Sequence, residues 1–366
     1  MTATLTLTNC FHYQQNKDPY NQSFINWGDI VPSVSFRNNS IDIIKGLAII
    51  SVIFQHTLSL VCLTSIYRIF HFEQAVPLFM LISGYVFTLS YQNKGITDLK
   101  NCYNLNIFKG RIKRLYAPFL VIYFLEVLLF KVFLSKYIDA PFLLVNLILG
   151  GFGPGSYYPV IMLQFLFIIP IIYVISHKYL NYSLPIFFAF GVLFEIYTYL
   201  SGMNEGVYRL LIGHYIFAIA LGSYLALNQN KMNKILLYIG SILSTIYMYS
   251  SVYLNYHIFG HIYWLPEQAP AYFYTAFLFI IGINFLPKKA GFMFTTVAEF
   301  GKASWHIFLI QMLYFWAIWP GVISPSLGFQ HDSISAIIIN MTACVTVGYI
   351  FYTIENSIYN RKRVHQ

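Results

Sequence analysis

Ten apolar stretches follow one another through this sequence, at about 41–64, 76–91, 115–135, 158–176, 184–200, 210–228, 235–256, 269–286, 304–323 and 335–354. A hydrocarbon core about 30 Å thick is crossed by about 20 apolar residues in a helix. One such stretch is a core helix; ten in succession leave no soluble fold open. Charged residues make up only 10% of the 366, against roughly a quarter in a soluble domain. Inside lipid the backbone must satisfy its own hydrogen bonds, which selects helices for runs of this length. The predicted fold is an all-α, polytopic integral membrane helical bundle of about ten transmembrane helices.

The charges between the stretches give the orientation. With the N-terminus in the cytoplasm and ten spans alternating, the inner loops carry the six basic residues from Lys94 to Arg114, then Lys178, Lys231, Lys234, Lys288, Lys289, Lys302 and the tail Arg361, Lys362, Arg363. The outer loops carry only Arg68, Lys136 and Arg209. That imbalance is what the positive-inside rule expects, and it places both termini in the cytoplasm. It also accounts for the net charge of +9 without a nucleic-acid partner. The boundaries predicted are a polar leader at 1–36, a membrane domain at 37–356 and a basic cytoplasmic tail at 357–366. The leader has no basic and then apolar region of the signal-peptide kind. Residues 142–151 are too short to cross and end in the turn-rich GGFGPGS, so a re-entrant or interfacial piece is expected there. Four cysteines, Cys10, Cys62, Cys102 and Cys344, have no metal-ligand or disulfide spacing, so no metal is expected.

The entry to the first stretch, NNSIDIIKGLAIISVIFQH at 38–56, carries three ionisable residues. Lys45 and His56 are eleven positions apart, so on a helix they share a face to within about 20° and lie about 16 Å apart along the axis. Asp42 is one turn before Lys45, on the same side. Two readings compete. Asp42 and Lys45 can be an interfacial pair with His56 a packing residue, or the stripe can face a water-filled path inside the protein. The run Asp42-x-x-Lys45-Gly46-x-Ala48-Ile49, with His56 further along, resembles the first helix of the acyltransferase 3 family, integral-membrane enzymes that move acyl groups from a coenzyme A thioester to a hydroxyl. The family's basic position is most often Arg, and Lys45 stands there in this chain. A lysine keeps a point-charge role and loses a bidentate one.

Four further motifs carry the resemblance. In KGRIKRLYAP at 109–118, Arg111 and Arg114 share one side of a helix start; they read as membrane anchors, and the resemblance implies contact with the phosphates of CoA. In VPLFMLISGYVF at 76–87, Ser83-Gly84 reads as a close helix crossing, and the resemblance adds Ser83 to the acyl path. In GPGSYYPVIMLQ at 153–164, Tyr157 and Tyr158 read as an aromatic interfacial anchor; the resemblance implies that they border the acceptor site. GKASWHIFLIQM at 301–312 resembles a late family signature in which His often stands at the place of Gln311, which argues against a second obligatory acid or base. Lys302 and His306 in that segment read as membrane-end anchors. Glu126, Lys131 and Glu195 also lie in apolar stretches, where ionisable groups are costly and paired or functional. Glu195, at the depth of His56, is the candidate partner on the acceptor side.

The resemblance spans about 41–359 in scattered motifs. It implies a membrane O-acyltransferase, an O-acetyltransferase by first expectation, taking acetyl-CoA from the cytoplasm and acting on a hydroxyl of a surface or lipid-linked glycan or polysaccharide. His56 would act as base or as acyl carrier, Lys45 on a phosphate or the thioester oxygen, and Asp42 would orient Lys45. The place implied is a bacterial cytoplasmic (inner) membrane. The sequence ends about twelve residues after the last stretch, so either a separate partner completes the transfer or the chain acts on the acceptor directly, and direct action is the expectation preferred. The alternatives are a proton- or anion-coupled transporter, against which stands the lack of an internal repeat, and a non-enzymatic component of glycan assembly.

Overall fold

The structure, a computed structural model, describes residues 39–134, 139–228, 234–287, 291–323 and 332–364. The polar leader and the loop lysines Lys136, Lys231, Lys288 and Lys289 lie outside the described residues. Among the described residues there is no strand, and 82% of the structure is helical. The chain is an integral membrane protein of the all-α, polytopic kind.

The helices follow the apolar stretches closely. They are α1 (Asn39–Thr57), α2 (Leu60–Ser65), α3 (Ala75–Gln92), α4 (Leu99–Cys102), α5 (Leu105–Leu134), α6 (Ala140–Ile148), α7 (Tyr157–Lys178) and α8 (Leu180–Leu200). Then come α9 (Glu205–Tyr208), α10 (Ile216–Leu227), α11 (Lys234–Tyr253), α12 (Tyr272–Phe285), α13 (Phe292–Lys302) and α14 (Ser304–Leu313). A π-helical turn at Tyr314–Ile323 continues α14, and α15 (Ile334–Val364) ends the fold. Among the described residues, six helices are long and apolar enough to cross a membrane, with shorter apolar helices at Ile212–Leu227 and Ala269–Phe285.

Three boundaries differ from the sequence pattern, each for a local reason. The first stretch breaks at Thr57. Ser59 caps α2 through its hydroxyl, which accepts from the Cys62 N–H, and its own N–H donates to Asp332 at 2.7 Å. A side chain 273 residues away therefore ends the helix where apolar character continues. The third span begins early: the basic run 109–114 forms the first turns of α5, because lysine and arginine are good helix formers. The tail is a helix in its backbone as far as Val364.

The short piece after α5 does not cross. Asp139 caps α6 by accepting from the Phe142 N–H at 3.0 Å, and the chain then turns through Gly150 and Gly151. Glu126, fully buried in α5, accepts the Phe152 N–H at 3.2 Å. That carboxylate ties the turn to the bundle, which accounts for an acid in an apolar stretch. Lys131, five residues on, is exposed.

Two crossings bring backbones together. A Cβ on Gly301 of α13 would lie 1.8 Å from the Asp42 carbonyl oxygen of α1, and one on Gly46 would lie 2.0 Å from the Val297 carbonyl oxygen. A Cβ on Gly222 of α10 would lie 1.9 Å from the Leu81 oxygen, and one on Gly84 of α3 2.2 Å from the Ile219 oxygen. Close approach through small residues is the main packing device where lipid gives no hydrophobic drive. Ser83-Gly84 therefore sits at the kind of crossing its sequence context suggests.

Candidate active site

The two ends of α1 meet different surroundings. At the first end Asp42 is buried, 2% exposed, and Lys45 Nζ lies 3.9 Å from its Oδ1. The pair sits beside the α13 crossing. Between it and His56 the helix is packed: Ile49 and Ile53 are fully buried and Val52 nearly so. At the other end the half-buried His56 lines a cavity of about 860 Å³, together with Val52 and Gln55 of the same helix. Its ring packs at 5.7 Å on Phe315 from the π-helical turn, and among the described residues it has no hydrogen-bond partner. The imidazole thus both packs on a ring and borders open volume.

The cavity walls come mainly from the connections at this end of the bundle. Arg68 and Glu73, before α3, form an ion pair at 2.9 Å. Glu205 of α9 accepts from Trp264 Nε1 at 3.2 Å. Trp264, with a left-handed backbone (φ 46°), meets the Tyr157 ring edge-on at 4.6 Å, and both line the cavity. Ser251, Asn255, His257 and Glu267 add to the polar part. Glu267 accepts a short hydrogen bond from the Tyr215 hydroxyl, and burial pushes its carboxyl up to about 8.

The remaining candidates divide. Tyr157 is on the cavity. Tyr158, its neighbour in α7, is turned into the core against Phe308 at 4.8 Å and Trp305 at 6.0 Å, as adjacent helical positions require. Ser83 is half-buried and outside the cavity walls. Glu195 of α8 is fully buried, also outside those walls: the Tyr208 hydroxyl is 3.1 Å from both its oxygens, and His261 Nε2 lies 3.0 Å away. Gln268 Nε2 faces His261 Nδ1 at 3.4 Å, so that nitrogen accepts and Nε2–H is left for Glu195. The acid therefore pins the segment 261–268 that carries Trp264. Of the late motif, Lys302 pairs with Glu299 at 2.6 Å and His306 with Glu355. Gln311 is fully buried and donates to the Pro154 oxygen at 3.3 Å, a packing link to the 153–159 turn.

At the far end of the bundle from the cavity, three cations gather. Arg111 donates to the Tyr91 hydroxyl at 2.6 Å and stacks on Phe87 and Tyr91, 4.4 and 4.7 Å from the ring centres. Arg114 is exposed. Burial, and then the nearness of Arg111 and Arg114, pulls the Lys94 ammonium below its usual range. Lys94 was not singled out in the motif; the turn after α3 brings it there.

The helical membrane bundle thus carries an imidazole on a cavity at one end and a cation cluster at the other. The acyltransferase 3 family model, described as an acyltransferase domain, matches residues 38–353, and the chain belongs to that family. It is a membrane acyltransferase. No curated protein and no solved structure matches it.

Proposed function

We propose that the protein is an O-acetyltransferase that takes acetyl from acetyl-CoA at the cytoplasmic face and esterifies a hydroxyl of a surface or lipid-linked glycan, in a bacterial cytoplasmic membrane. One observation supports this above the rest: His56 reaches open volume from the deep end of α1, beside the aromatic pair Tyr157 and Trp264. The acceptor hydroxyl enters the cavity from the outer connections, and its ring lies against those aromatic faces. His56 takes the hydroxyl proton as the oxygen attacks the thioester carbonyl. The carbon–sulfur bond breaks, the thiolate takes back a proton, and the products are an ester and free CoA thiol.

The donor comes from the other side. Lys94, Arg111 and Arg114 hold the phosphates, with the guanidinium groups suited to bidentate contact. Lys45, oriented by Asp42, marks the next step of the path, about 16 Å from His56 along the helix. The packed residues Ile49, Val52 and Ile53 stand between, so the thin arm of CoA must part that packing for transfer to occur. Membranes holding the protein, given acetyl-labelled acetyl-CoA, are expected to place label in glycan and release free thiol in equal amounts. Thiol release without the protein's membranes, or solute uptake without any CoA requirement, contradicts the proposal.

A further inference from the structure

Next to His56 runs a buried polar chain that the reaction as written above leaves unused. Asn340, in the second turn of α15, is fully buried; Thr57 and Tyr314 are 2% and 4% exposed. Tyr314 donates its hydroxyl to Asn340 Oδ1 at 2.8 Å, and Asn340 Nδ2 donates to Thr57 Oγ1 at 3.3 Å. Thr57 in turn donates to the Ile53 oxygen at 2.8 Å. Each group has a direction consistent with its neighbours.

The sequence positions of the two ends give the chain its meaning. Thr57 immediately follows His56, and Tyr314 immediately precedes Phe315, the ring on which His56 packs. Asn340 therefore ties the backbone that carries the imidazole to the backbone that carries its support. Both attachments lie where the local helix is irregular. α1 ends at Thr57, and the helix of Phe315 is π-wound, a form used sparingly and often at functional sites. Away from water, a broken link leaves a polar group unsatisfied, so the chain is rigid where α1 alone would fray. A second tie acts from the same side: Asp332, just before α15, accepts from the Ser59 N–H and hydroxyl.

We propose that Asn340 is a positioning residue for the reaction, fixing the His56 ring against Phe315 and toward the cavity through Thr57 and Tyr314. The inference rests on the reading of His56 as the base, but its structural half is measurable without acyl transfer. Diethyl pyrocarbonate modifies accessible imidazoles, and peptide mass spectrometry reports the rate at each. His257, on the same cavity, is the internal control.

Asn340→Ala and Thr57→Val are expected to change the His56 modification rate several-fold with the His257 rate unchanged, and Thr57→Ser to behave as wild type. Per folded molecule, kcat falls about 10- to 100-fold, the cost of a misplaced catalytic group, with both KM values within about twofold. In a His56→Ala background, Asn340→Ala is expected to add nothing to the loss. An unchanged His56 rate in both Asn340→Ala and Thr57→Val overturns the proposal, as does a loss in the His56→Ala background equal to that in wild type. Should Asn340→Ala not fold, the Thr57→Val and Thr57→Ser pair decides alone. If the His56 rate shifts as expected while wild-type protein transfers no acyl group, the positioning stands and the reading of the enzyme falls.

Discussion

The two ends of α1 carry similar chemistry and meet opposite surroundings. At Asp42 and Lys45 the helix lies against α13 so closely that Gly301 has no room for a Cβ, and the ionisable pair is wedged at a crossing. Three turns on, His56 meets a cavity of about 860 Å³. One stripe on one helix thus holds an ion pair beside a close helix crossing and, three turns on, an open site. Helical periodicity puts polar residues on a face; the neighbours decide how much room that face is left.

The largest effect is expected at the helix crossing. Gly301→Leu drives a side chain into the α1 backbone and costs more than about 4 kcal/mol, enough to lose the folded peak in size-exclusion chromatography. Gly110→Leu, where nothing lies within 4 Å, keeps that peak. Equal behaviour of the two would mean the helices cross more loosely than described.

Lys45 sharpens the comparison next. Removing a charge-assisted contact worth about 1.5–3 kcal/mol raises KM for acetyl-CoA by about 10- to 100-fold in Lys45→Ala, while Lys45→Arg stays near wild type. An increase in acceptor KM instead would move Lys45 out of the donor path. Trp264→Ala tests the open end, and the effect is smaller. Losing an aromatic contact of about 0.5–1.5 kcal/mol raises acceptor KM by about 2- to 10-fold and leaves donor KM alone.

A pH-dependent effect on stability concerns Glu267. Its carboxyl is held up to about 8, so the folded state keeps a proton that the unfolded chain loses near the ordinary carboxylate range. The stability this gives is full below that range and is lost as pH rises toward about 8. Wild-type melting temperature should therefore fall from pH 5 to pH 8 more steeply than that of Glu267→Gln. Parallel curves would show that the carboxyl is already ionised at neutral pH.

Much of this was legible in the chain, and the reason is physical. Apolar length fixes where a helix can cross, so each apolar stretch has its helix. Small pairs such as Ser83-Gly84 point to crossings because nothing larger fits. The eleven-residue spacing of Lys45 and His56 follows from helical pitch alone. What stayed hidden depends on distant partners. Asp332 ends α1, Glu195 is claimed by His261 and Tyr208, and Tyr158 faces the core while Tyr157 faces the cavity. Asn340 gave one signal, an amide in the apolar run AIIINMTACV. Such an amide needs a partner in lipid, but the run cannot say that Thr57 and Tyr314 supply it.

The central claim is that the imidazole on the cavity does the proton transfer. The direct measurement is acetyl transfer by purified, folded His56→Ala, with CoA thiol release followed per molecule at saturating donor and acceptor. A general base of this kind contributes about 100- to 10,000-fold, and a fall of that size with donor binding retained is the predicted result. Transfer at the wild-type rate by the folded variant would contradict the account.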